Sequence, residues 1–201
     1  MSTNAPASSI SMSTISTACA RTTALAPIAG LCGDPAGGKR FAAAAQALLA
    51  AATGRFWSRE RGLFVGNLPW EDEEGGARLD DRSLATSLLF DQCPGGRVKE
   101  AVAALASPPA SMGLSYPANA HWRMQALARH GRVDAVLREL RERWAVMPSV
   151  ILNNTTSEDW AVRPDSSDQW SHCAVGPLFV LYMDVAGIRP GAPGFEKAEI
   201  R

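Results

Sequence analysis

Asn153-Asn-Thr-Thr-Ser-Glu-Asp-Trp160, followed by Asp165 and then Asp168-Gln-Trp-Ser-His172, is the stretch on which the reading of this 201-residue chain turns. It sets an acidic pair, Glu158 and Asp159, beside an aromatic, after a run of neutral polar side chains. Carboxylates, indoles, amides and an imidazole fall within one short segment. Carboxylates supply acid or base and accept hydrogen bonds from sugar hydroxyls. Indole rings offer a flat apolar face to the C–H side of a pyranose. The same composition also fits a solvated loop in which Trp160 and Trp170 plug the top of a core.

Outward from this stretch the chain reads as helices. Downstream, a helix is expected from about His172 to Val185, with Leu178, Leu181 and Tyr182 available to a core and Gly187 closing it. Upstream, Val133, Val136, Leu137, Leu140 and Trp144 give an amphipathic helix that ends before Pro148. Pro117 suits a first helical turn, Trp122, Met124 and Leu127 continue that helix, and Gly131 stops it. Val98, Val102 and Leu105 repeat the spacing up to Pro108-Pro109. Asp80-Asp81 reads as an N-cap before Leu84, Leu88 and Leu89. The segment from Lys39 to about Thr53 is Ala- and Leu-rich, with Gly37-Gly38 and Gly54 as its boundaries. Strand-period alternation is almost absent. The expected class is all-α, built from helical hairpins, with long loops at 56–76, 107–116 and 149–170 gathering into a cup. Function tends to sit on loops held by a rigid scaffold.

Composition narrows the partners. Twenty basic residues balance twenty acidic ones, which argues against a nucleic-acid footprint. No apolar run approaches the roughly 18–20 residues that span a bilayer. Residues 1–36 open with an uncharged Ser/Thr/Ala-rich segment, read as a disordered leader or a gene-model artefact. Residues 37–201 form the expected domain. Cys19, Cys32, Cys93 and Cys173 form no C-x-x-C pair and suit reduced, mostly buried thiols of a cytoplasmic protein. No cofactor and no metal ligand is expected. His121 and His130 read as surface or helix-end residues, and the Glu71–Glu74 run as a solvated loop.

The order of motifs resembles a known family. Asn154-Thr-Thr-Ser-Glu158-Asp-Trp160, then Trp170-Ser-His172 opening a helix, then Ala186-Gly-Ile-Arg-Pro190 and Pro193-Gly-Phe195, resembles the C-terminal barrel region of α-L-rhamnosidases. These are six-hairpin glycosidases of glycoside hydrolase family 78 with an (α/α)6 barrel. Leu79-Asp-Asp-Arg-Ser-Leu-Ala85 and Ser115-Tyr-Pro-Ala-Asn119 look like helix starts of the same family. The resemblance covers about Phe41 to the end.

It implies a partial (α/α)6 barrel, its C-terminal half, and inverting hydrolysis of terminal α-L-rhamnosides. Glu158 matches the general base that activates water. His172 matches a histidine that hydrogen-bonds the rhamnose, and Trp160 and Trp170 would line or support the pocket. Ser157 departs from the pattern, standing where many members have Trp. A larger departure is the general acid, whose Asp/Arg-Glu/Trp motif is not found. Arg59-Glu60 has the dipeptide but sits in the turn Trp57-Ser-Arg-Glu-Arg-Gly-Leu-Phe64, read as solvated. The resemblance therefore implies a truncated, inactive fragment with an apolar open edge through which it could self-associate. The alternative is a non-catalytic helical module that binds a carbohydrate or a protein.

Overall fold

The computed structural model describes residues 10–68, 79–161 and 173–200. The chain is mainly helical and divides into two compact units. The first runs through Ala101 and takes in Pro108–Gly113; the second comprises Val102–Ser107 and Leu114 onward.

In the first unit, α1 (Met12–Leu31) packs along α2 (Pro35–Phe56) and touches α3 (Asp81–Leu89). Helix α1 occupies the segment that the sequence reading assigns to a disordered leader. Its Ser and Thr residues, poor helix formers on paper, are accommodated in two ways. Ser11 caps the N-terminus by accepting from the Thr14 N–H. Thr17, Thr22 and Thr23 then donate their hydroxyls to carbonyls one turn back, at 2.8–2.9 Å, so these groups bond within the helix rather than compete with it. Met12 and Cys19 are buried beneath it.

Helix α2 is longer than its Ala/Leu-rich middle suggests. Asp34 accepts from the Gly37 N–H at 2.7 Å and Pro35 fills the first turn. Gly37-Gly38 therefore lie inside the helix instead of bounding it. A Cβ on Gly38 would stand 2.8 Å from the Ala26 carbonyl oxygen of α1, so the glycine permits the two backbones to approach. After α2, β2 (Trp57–Ser58) and β3 (Leu63–Phe64) pair antiparallel, and β1 (Ile10–Ser11) pairs with β4 (Asn67–Leu68). Asp80 caps α3 through the Ser83 N–H at 2.7 Å, as its sequence predicts. Just before it, β5 (Leu79–Asp80) lies parallel to β6 (Met112–Gly113). These two- and three-residue strands carry no alternation that a sequence reading could detect.

In the second unit, α5 (Pro117–Arg129) packs against α6 (Val133–Glu139) and α8 (Gly176–Val180). Pro117 opens α5. Gly131, at φ 75°, closes it: the Gly131 N–H bonds Ala128 O and the Arg132 N–H bonds Leu127 O. That is the paired bonding of a left-handed helix stop. Helix α6 runs on as one π-helical turn, Leu140–Trp144, with Ala145 N–H bonded five residues back to Leu140 O. Helix α8 does the same through Leu181–Val185. A short helix absent from the sequence reading, α7 (Pro148–Asn153), follows Pro148. Strands β7 (Ile188–Pro190) and β8 (Ala198–Ile200) close the tail. Met124, Leu127, Val136, Trp144, Met147 and Val180 are buried.

Two expectations are corrected here. Leu178, Leu181 and Tyr182 do not face a core: they are exposed, and Gly176 and Val180 are the buried residues of that helix. A Cβ on Gly176 would meet His121 Cβ at 2.6 Å, so α8 seats its glycine, not its leucines, against α5. The thiols are also not mostly buried. All four are free, with Cys19 buried, Cys93 intermediate, and Cys32 and Cys173 exposed. No helix among the described residues is long and apolar enough to cross a membrane.

Candidate functional site

The loop carrying Glu158 is built by local bonds. Helix α7 ends at Asn154, in the left-handed region at φ 52°, a conformation Asn tolerates better than most residues. The Thr155 N–H returns to Ser149 O, and the Thr156 hydroxyl donates to Ala174 O at 3.1 Å, tying the loop to the segment before α8. Ser157 is fully buried. Its N–H points to Met147 Sδ at 3.5 Å and its hydroxyl donates to Asp159 O at 2.8 Å. An indole at this position would not fit the space that the serine occupies, which gives the departure at Ser157 a physical meaning.

Beyond Ser157 the loop opens onto a cleft of about 360 Å³ lined by Tyr116, Ala118, Asn119, Glu158 and Asp159. Asp159 has one carboxylate oxygen engaged, accepting from the Ala161 N–H at 3.0 Å. Glu158 is exposed and, among the described residues, has no hydrogen bond or ion pair. Its oxygens are therefore open to water or to a ligand hydroxyl. Tyr116 caps α5 and Asn119 sits in the first turn of that helix, so a phenol and an amide face the same space. These side chains can hydrogen-bond a polyhydroxylated ligand and hold a water beside a carboxylate.

Trp160 stands among the residues that support the loop and not among those lining the cleft. Its indole N–H donates to Ser115 O at 2.9 Å. Its ring meets the edge of Trp144 at 5.1 Å and 76°, and the Arg143 guanidinium lies 4.0 Å over its face. Arg143 is held in turn by Glu139 at 3.3 Å, and Glu139, nearly buried, also pairs with buried Arg123. Trp170 and His172 lie outside the described residues, as do Asp165, Asp168 and the Glu71–Glu74 run.

Other sequence candidates sit elsewhere. Arg59 and Glu60 are exposed at the β2–β3 turn. His130 is the C-cap of α5. His121 bonds Ala118 O through Nδ1 at 3.1 Å and lies beside the Trp122 ring. Among the described residues, no group of three or more His, Cys, Asp or Glu is placed to hold a metal ion. Sequence reasoning did not single out Tyr116 and Asn119 for the site. Their signal was the motif Ser115-Tyr-Pro-Ala-Asn119, read only as a helix start.

The fold has a counterpart among solved structures. The chain superimposes on the crystal structure of a GH78 family rhamnosidase of Bacillus sp. GL1 with a TM-score of 0.77 and 20% sequence identity. The match covers 95% of this chain and 21% of that one. The class is thus a mainly α, GH78-like glycosidase fold. The chain spans about a fifth of the rhamnosidase it matches. No protein-family model matches the chain, and no curated protein does.

Proposed function

We propose that this chain contributes the base side of an inverting rhamnosidase-type site within the C-terminal part of an (α/α)6 barrel. The supporting observation is that Glu158, open to solvent, lines a cleft with Tyr116 and Asn119 in a chain whose fold follows a GH78 rhamnosidase over 95% of its length. In this reading Glu158 takes a proton from water on the face of the sugar opposite the leaving group. Asp159, bonded to its own backbone, orients the turn. His172 hydrogen-bonds the rhamnose ring and Trp170 lines the pocket, while Trp160 buttresses it from behind.

Inversion needs two carboxyl groups about 6.5–9.5 Å apart, one of them an acid that protonates the leaving oxygen. The sequence offers no second motif for that acid, so the 201-residue chain is proposed to be an inactive fragment. Leu178, Phe179 and Tyr182 on α8, together with Ile151 and Leu152 on α7, are exposed. Apolar side chains left open in this way favour self-association.

The test is turnover of an aryl α-L-rhamnoside, run beside binding of free L-rhamnose. The proposal expects no turnover, with rhamnose binding that weakens in Glu158→Gln. Turnover by the native chain that vanishes in Glu158→Ala would overturn the fragment reading and keep the base. Rhamnose binding indifferent to Glu158→Gln would favour a non-catalytic binding module instead.

A further inference from the structure

Glu158 has no hydrogen bond of its own among the described residues, so its position is set by the backbone on either side. On one side Ser157 is buried and bonded across the turn. On the other side the anchor is Trp160, and what fixes Trp160 is a chain of contacts running into the interior of the unit. Glu139 sits one helical turn before Arg143 and, at its nearly buried site, binds both Arg123 and Arg143. An unpaired carboxylate there would be costly, so the two guanidiniums are needed to keep it charged. Glu139 thereby restricts the Arg143 side chain, which is mostly withdrawn from solvent, and places its guanidinium flat over the Trp160 ring. A cation over an indole face is attracted by the ring's quadrupole, more strongly when partly desolvated. The ring edge and the indole N–H are held separately, by Trp144 and Ser115 O.

We infer that Arg143 is a positioning residue for Glu158, acting through Trp160. It rests on the reading of the Glu158 loop as the sugar site. The buried Glu139 pair gives Arg143 a fixed place, Arg143 and Trp144 clamp the indole, and the indole pins the loop two residues after Glu158. An arginine is suited to this role because its planar guanidinium can pair with a carboxylate and stack on a ring at once.

The experiment uses the full chain labelled with 5-fluorotryptophan, with hydrogen exchange of residues 157–161 followed alongside. The fluorine signal of Trp160 is assigned by its loss in Trp160→Phe. Arg143→Met is expected to shift that signal and to speed exchange across the loop by about tenfold. Arg143→Lys, which keeps the charge, is expected to recover part of both effects. Should Arg143→Met unfold the chain, Glu139→Gln and Trp160→Phe carry the test. The first loosens Arg143 and should speed loop exchange; the second keeps the aromatic face and should speed it less. Loop exchange and a Trp160 signal unchanged in a folded Arg143→Met, or a lysine variant no better than methionine, would overturn the inference. These readouts do not involve sugar, so failure of the native chain to bind rhamnose counts against the role of Glu158 alone.

Discussion

Two loops of this protein contain nearly the same ingredients. The turn 57–64 and the loop 154–161 each carry an exposed glutamate, Glu60 or Glu158, beside an edge-to-face aromatic pair. Trp57 and Phe64 meet at 5.0 Å and 79°, Trp144 and Trp160 at 5.1 Å and 76°. The difference lies in where the backbone goes. At 57–64 it folds straight back on itself as a strand pair, with Gly62 at φ 62° and its N–H bonded to Ser58 O. Glu60 is left on a turn tip. At 154–161 the backbone runs against the start of α5 through the Trp160–Ser115 bond, and Glu158 is left facing a cleft. A carboxylate next to an indole is therefore not a site. It becomes a candidate when a second element supplies the opposite wall.

Mutations should separate the two loops. The largest effect is expected from Trp160→Ala, which removes the ring contact, the cation partner and the N–H bond, at about 3 kcal/mol in chemical denaturation. Trp57→Ala loses mainly the ring contact and should cost about 1–2 kcal/mol; equal costs would erase the distinction. Next, Glu158→Gln should weaken L-rhamnose binding about tenfold, as loss of a charged acceptor does, while Glu60→Gln leaves titrations unchanged.

The turn residues come third. Gly62→Ala should destabilise by about 1 kcal/mol, because L residues resist positive φ even where, as here, the nearest side-chain atom is 3.7 Å away. Asn154→Gly, at a left-handed helix end, should be neutral or stabilising by a few tenths of a kcal/mol. Thermal melts of both variants would show whether the second loop depends on backbone strain as the first does.

The smallest effect concerns a carboxylate outside both loops. Burial pushes the Asp80 carboxyl above its usual range, partly opposed by the Ser83 N–H bond. The fold thus favours its neutral form. That contribution is full below the ordinary aspartate pKa of about 3.9 and is lost as pH rises through the raised value. Asp80→Asn keeps the cap and should flatten stability against pH above that point. A mutant curve parallel to the native one would remove Asp80 from the account.

The sequence made legible the elements that begin and end on strong local chemistry. Asp80, Pro117 and Gly131 mark helix boundaries because capping, a fixed φ and a left-handed stop act within one turn of chain. Helix α1 was illegible because its hydroxyl residues signal loops unless their bonds to the preceding turn are known. Gly37-Gly38 read as a boundary because close packing against α1 is a non-local cause. For the site, Glu158 and Trp160 were readable in one segment, and Trp160 was read as lining or supporting. Only packing shows that it supports, since Ser115, Trp144 and Arg143 come from other elements. Tyr116 and Asn119 were hidden for the same reason.

The π-helical turn at Leu140–Trp144 has a consequence for how this chain tolerates changes in length. Such a turn holds one residue more than the regular helix would. Deleting any one of those residues would restore the ordinary helical pitch without breaking the helix, yet turn the register of everything after it by about 100°. Trp144 would then leave the edge of Trp160, and Pro148 would start α7 in a new direction. A gap that is harmless to the helix would thus dismantle the support of the Glu158 loop.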